Sequence, residues 1–73
     1  SQGDLDGAIA DFTRALELAP LHAVWWANRG VARRAEGDLT GAVADLTRAL
    51  ELDPRDATVW TERGGVRSAA GDT

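Results

Sequence analysis

Gly37-Asp-Leu-Thr-Gly-Ala-Val-Ala-Asp-Leu-Thr-Arg-Ala-Leu-Glu-Leu-Asp-Pro54 repeats, almost letter for letter, Gly3-Asp-Leu-Asp-Gly-Ala-Ile-Ala-Asp-Phe-Thr-Arg-Ala-Leu-Glu-Leu-Ala-Pro20. Each stretch reads as a helix with a glycine turn ahead of it and a proline stop behind it. The offset is 34 residues, and residues 3–36 agree with residues 37–70 at more than half of their positions. Gly71-Asp72 opens a third copy. A period of about 20 to 50 residues marks a stack of small structural units. The spacing of the apolar residues says which kind.

Leu5, Ala8, Ile9, Phe12, Ala15 and Leu16 recur at steps of three and four, which lays one apolar stripe along a helix. Leu39, Ala42, Val43, Leu46, Ala49 and Leu50 repeat that stripe. Asp4 and Asp38 follow glycines and are placed to cap the two helices. Pro20 and Pro54 disfavour helical geometry at the residue before them and close each helix. Between the copies, a second helix carries Trp26 and Gly30, and Gly37 supplies the left-handed residue that ends it. Asp56 caps a fourth, which holds Trp60 and Gly64 at the same places. The pattern predicts helices over residues 4–18, 23–36, 39–52 and 57–70. No strand alternation competes, so the fold class is all-α, with antiparallel helix pairs. Gly30 and Ala42 lack bulk, which lets two backbones approach while Trp26 and Leu46 fill the wider gap beside them.

Composition narrows function. Seventy-three residues allow one small domain or a piece of a longer array. Hydrophobic content of 44% and charge of 27% fit a folded, water-exposed chain. Twelve acids face eight basic residues, all Arg and all dispersed, for a net charge of −4. Such a surface suits neither phosphate backbones nor anionic lipid, so the expected partners include no nucleic acid and no membrane. No apolar run reaches the 18 or so residues of a membrane helix, and no signal-peptide pattern opens the chain. With no Cys there is neither disulfide framework nor thiolate zinc site. With no Met, and with Ser1 two residues before a repeat boundary, the expectation is an excerpt or a processed piece.

Trp26, Gly30, Gly37, Ala42, Leu46, Ala49 and Pro54 stand at the spacing of the tetratricopeptide repeat signature, and the chain resembles that family. Ala8, Phe12, Ala15 and Pro20 carry an earlier half-copy, Trp60 and Gly64 a later one. Two departures stand out. Arg29 and Arg63 replace the Leu preferred before the glycine, and Arg33 and Arg67 replace a large aromatic three residues after it. The resemblance implies an α-solenoid, a right-handed superhelix of stacked helix pairs. It divides the single segment 1–73 into the second helix of a repeat (3–20), a complete repeat (21–54) and the first helix of a further one (55–73). It also implies a concave peptide-binding groove lined by Val24, Ala27, Asn28, Val31 and Arg34, then by Thr58, Thr61, Glu62, Gly65 and Ser68.

Candidate sites are weighed against plainer roles. Asn28 matches one position of a carboxylate clamp known in the family, but its counterpart Glu62 repels a carboxylate and the chain has no Lys. His22, the single histidine, is assigned a turn or cap role, because no second His or Cys could join it as a metal ligand. Asp4-Leu-Asp6-Gly7 is set aside as a calcium loop because Thr40 replaces the acid in the sister copy. The remaining acids have capping or surface uses, so no catalysis, cofactor or metal is expected. Trp25 lies on the stripe facing the preceding helix, with Arg29 four residues on and able to lie across its ring. Arg29 is expected to pair with Asp11, and Arg63 with Asp45 at the same spacing, Asp45 being the alternative partner for Arg29. Leu5, Ile9, Phe12, Leu16 and Trp60 are expected to be half covered, as stacking ends.

The leading functional expectation is a non-catalytic module that binds an extended or helical segment of a protein partner. Its rival is a structural repeat that stacks end to end into homo-oligomers. A third is an accessory segment of an enzyme.

Overall fold

The computed structural model describes residues 2–71, so Asp72 of the third Gly-Asp lies outside the described residues. The helices are α1 (Gln2–Leu18), α2 (Ala23–Ala35), α3 (Leu39–Leu52) and α4 (Ala57–Ala69), with no strand among the described residues. All four match the expected spans to within two residues at each end. Three- and four-residue connections turn the chain back each time, so consecutive helices pack side by side. α2 lies between α1 and α3, α3 lies between α2 and α4, and α2 also touches α4. The Cα atoms fill 33 × 29 × 15 Å.

Local chemistry explains the ends. Asp38 accepts the Gly41 amide, and Asp56 accepts the amides of Thr58 and Val59, so two of the expected caps are formed. Asp4 is not a cap: α1 begins at Gln2, which places Asp4 in its first turn, where an acid still faces the positive helix end favourably. At the end of α2, Gly37 takes φ +88°, its amide bonds Arg34 O and the Asp38 amide bonds Arg33 O. These are the two bonds of a Schellman close, and only glycine adopts that φ without strain. Pro20 and Pro54 follow the last turns of α1 and α3 as expected.

The core sits where α2, α3 and α4 meet. Ala42, Leu46 and Val66 are fully buried, and Ala49, Leu50 and Val59 nearly so. Trp26, Ala27, Leu39 and Val43 pack against them from the sides. A Cβ added to Gly30 would lie 3.0 Å from Leu46 Cγ and 3.2 Å from Ala42 O, which confirms the close approach read from the small residues. One tie recurs with the period. The indole N–H of Trp26 donates to Pro20 O and that of Trp60 to Pro54 O, each at 2.8 Å, so each tryptophan pins the turn that leads into its helix.

Candidate functional site

The α2 and α4 copies of the groove positions are brought together by the contact between these helices. Val24 and Val31 are 48% and 44% exposed, well above what a core valine shows. Asn28 is half-buried, Ala27 rests on the core, and Thr58, Thr61 and Ser68 are exposed. Arg34 crosses from α2 to α4, donates to Glu62 Oε2 at 2.9 Å and lays its guanidinium over Gly65. A Cβ at Gly65 would stand 3.4 Å from that guanidinium, so the small residue makes room for the crossing. The two charges of this face are thereby spent on each other. Thr61 Oγ1 turns back to Ala57 O, a helix-internal bond.

On the other side of α2, the arginines choose partners the spacing left open. Arg29 reaches Asp45 through Nε at 2.8 Å and Nη2 at 2.9 Å, a bidentate pair. Its Nη1 donates to Thr13 on α1, so one guanidinium ties three helices. The alternative partner is the one found, and the expected Arg29–Asp11 and Arg63–Asp45 pairs are not formed. Asp45 is 2% exposed and also forms an ion pair with Arg33 at 3.2 Å, which leaves it no face for Arg63. Arg33 thus fills with an ion pair the place where the family prefers an aromatic ring. The hydrogen bonds that Arg29 donates to Asp45 raise its pKa above the ordinary value against the opposing effect of burial.

The ring contacts correct two expectations. Arg29 lies over Trp26 at 5.1 Å, not over Trp25, and Arg63 lies over Trp60 at 5.6 Å in the same way. The reason is register: the guanidinium drawn to Asp45 passes the core-side tryptophan. Trp25 stacks on Phe12 at 6.1 Å and so joins α2 to α1. His22 occupies the N-cap position of α2 but makes no capping bond; its ring stacks on Trp25 at 5.5 Å. The indole–carbonyl ties and the three-helix reach of Arg29 escaped the sequence reading. The Trp–Pro spacing of six, present twice, was the available signal for the first.

Of the expected stacking ends, Trp60 is 50% exposed, and Leu5, Ile9 and Phe12 are partly buried. Leu16 departs from the expectation: it is 6% exposed and belongs to the packing inside the chain. At the α1–α2 junction, the approach of the Asp6 carboxylate raises the Glu36 pKa, helped by burial and by the charge of Asp38, with Arg33 opposing. No group of three or more metal-ligating side chains comes together among the described residues, and no described helix is long and apolar enough to cross a membrane.

The helix pairing and the repeated Trp–Pro ties follow one 34-residue template. No curated protein matches this chain. A family model described as tetratricopeptide repeat matches residues 1–57 and again residues 28–72, two overlapping placements that together span nearly all of it. Repeats of this kind generally mediate protein–protein interaction and are typically non-catalytic. The chain belongs to the tetratricopeptide repeat family.

Proposed function

We propose that this chain is a protein-binding module whose α2/α4 face receives an extended or helical segment of a partner. The observation that carries this reading is the Arg34–Glu62 pair beside two exposed valines. With the charges satisfied internally, a partner can cover Val24 and Val31 without stranding an unpaired ion. Covering what is exposed of each valine contributes about 1 kcal/mol. Asn28 offers an amide donor and acceptor for an extended backbone, and the small exposed side chains of Thr58 and Ser68 leave that backbone room. The partner is then chosen by shape and a few hydrogen bonds, with weak dependence on its charge.

A displayed peptide library selected on the immobilised chain tests this. Enriched peptides should lose about fivefold or more in affinity to Val31→Glu and to Asn28→Ala variants, by fluorescence anisotropy. Arg14→Ala, at an exposed α1 position, should leave affinity unchanged. Failure of any peptide to enrich, or equal affinity for all three variants, defeats the reading.

A further inference from the structure

A crevice of about 210 Å³ opens between α3 and α4, lined by Leu39, Thr40, Val43, Arg67 and Ala70. Counted back one period, these five residues become Leu5, Asp6, Ile9, Arg33 and Glu36, the matching side chains of the α1–α2 junction. α3 packs against α4 as α1 packs against α2, so both places are built on the same helix pairing. Their side chains differ. Glu36, at the C-cap of α2, extends to Asp6 on α1, and its Oε2 is shielded from solvent. Ala70, at the C-cap of α4, stops at Cβ. Val43 in place of Ile9 removes a methylene, and Thr40 in place of Asp6 removes the acid that Glu36 meets. The crevice is therefore the room that a Glu side chain fills in the sister copy, left open here by Ala70 and Val43.

We infer that this crevice binds a small monocarboxylate with an apolar tail, seated as the Glu36 side chain is seated in the sister copy. Leu39 and Val43 supply its carbon surface and rest against the core, so a tail laid on them displaces water from apolar groups. A dry cavity of about 150 Å³ accommodates benzene, so this one takes a tail of about four to six carbons. Arg67 is the one charged residue of the lining among the described residues. Its guanidinium has five donors, so a carboxylate can join the interaction it already has. The Thr40 hydroxyl can donate to that carboxylate where Asp6 could only repel it. Asp38, the acid that precedes α3, is turned to the Gly41 amide. None of the five lining residues belongs to the α2/α4 peptide face, so either site can fail without the other.

Methyl NMR spectra of the whole chain, titrated with hexanoate, hexanol or acetate, read the outcome. Hexanoate should shift the Leu39, Val43 and Ala70 methyl signals saturably, with a Kd of about 1–5 mM for a ligand of its size. Hexanol, which lacks the charge, and acetate, which lacks the tail, should each bind about fivefold or more weakly. Ala70→Glu restores the side chain of the sister copy and should weaken hexanoate binding by about tenfold, since the room is filled and the added charge repels. Arg67→Gln should lower hexanoate affinity about fivefold and leave hexanol unchanged. Both positions are exposed, and circular dichroism checks that each variant is folded. The inference is overturned if these methyls show no saturable shift up to about 20 mM hexanoate. Equal binding of hexanol and hexanoate overturns it too, as does hexanoate affinity unchanged in either folded variant.

Discussion

Gly30 and Gly64 occupy the same place in the repeat, yet one methyl group should have opposite effects at the two. Both lie inside helices, so Gly→Ala gains about 0.8–1 kcal/mol of helix propensity at either position. At Gly64 nothing stands within 4 Å of the new Cβ, so that gain should appear nearly whole. At Gly30 the Cβ meets Leu46 Cγ at 3.0 Å, Ala42 O at 3.2 Å and Asp45 Cβ at 3.2 Å. Leu46 is fully buried and has nowhere to move, and a backbone carbonyl cannot rotate aside. Overpacking of this kind costs about 1–3 kcal/mol, so Gly30→Ala should be destabilising by about 0–2 kcal/mol net. The propensity gains cancel between the two variants, which leaves a gap of about 1–3 kcal/mol due to packing alone. Urea unfolding followed by circular dichroism measures it. The corresponding separation in Tm is roughly 5–20 °C for a domain of this size. If both variants shift stability equally, the close α2–α3 contact is not a determinant of this fold.

The aspartates make a second matched pair. Asp45→Ala strands the Arg29 and Arg33 guanidiniums and should cost about 2–4 kcal/mol in thermal melts, somewhat discounted because Arg33 can rehydrate. Asp11→Ala, at an exposed position, should stay within about 0.5 kcal/mol of wild type; equal effects would show that the Asp45 lock adds nothing. Glu36 predicts a pH effect. Its folded pKa is raised, so its stabilising contribution is fully present below the ordinary carboxylate value of 4.5 and is lost as pH rises through the higher folded value. Glu36→Gln should therefore raise stability near neutral pH and narrow its advantage on acidification; an advantage that does not change with pH would contradict the effect of Asp6 on Glu36.

Helix number, helix bounds and most of the caps were legible because they depend on short-range chemistry. Aspartates at residues 38 and 56 reach amides two and three residues on, and a proline stops a helix wherever the chain places it. The Asp4 cap failed for an equally local reason: nothing at Gln2 or Gly3 forbids helix, so α1 starts before it. The candidate groove was legible only through the family template, which assigns positions by number. That Arg34 and Glu62 neutralise each other there depends on the lateral distance between α2 and α4.

The 34-residue period by itself determined the class of fold, the order of its parts and the family to which they belong. A strict repeat records each contact as a residue type at a spacing, and it records every copy alike. For that reason it left Arg29 with two equivalent aspartates, Asp11 one helix before and Asp45 one helix after. It likewise left two neighbouring tryptophans for the guanidinium to cross, and two glycines of identical standing at positions 30 and 64. Tertiary structure broke each of these ties. Asp45 lies between α2 and α3 out of reach of water, where a charge is held only by a bidentate partner, while Asp11 faces solvent and draws none. Once Arg29 is turned toward Asp45 it passes over Trp26, and Trp25 is left to Phe12. Gly30 is crowded and Gly64 is open because only one of them has a third helix packed upon it.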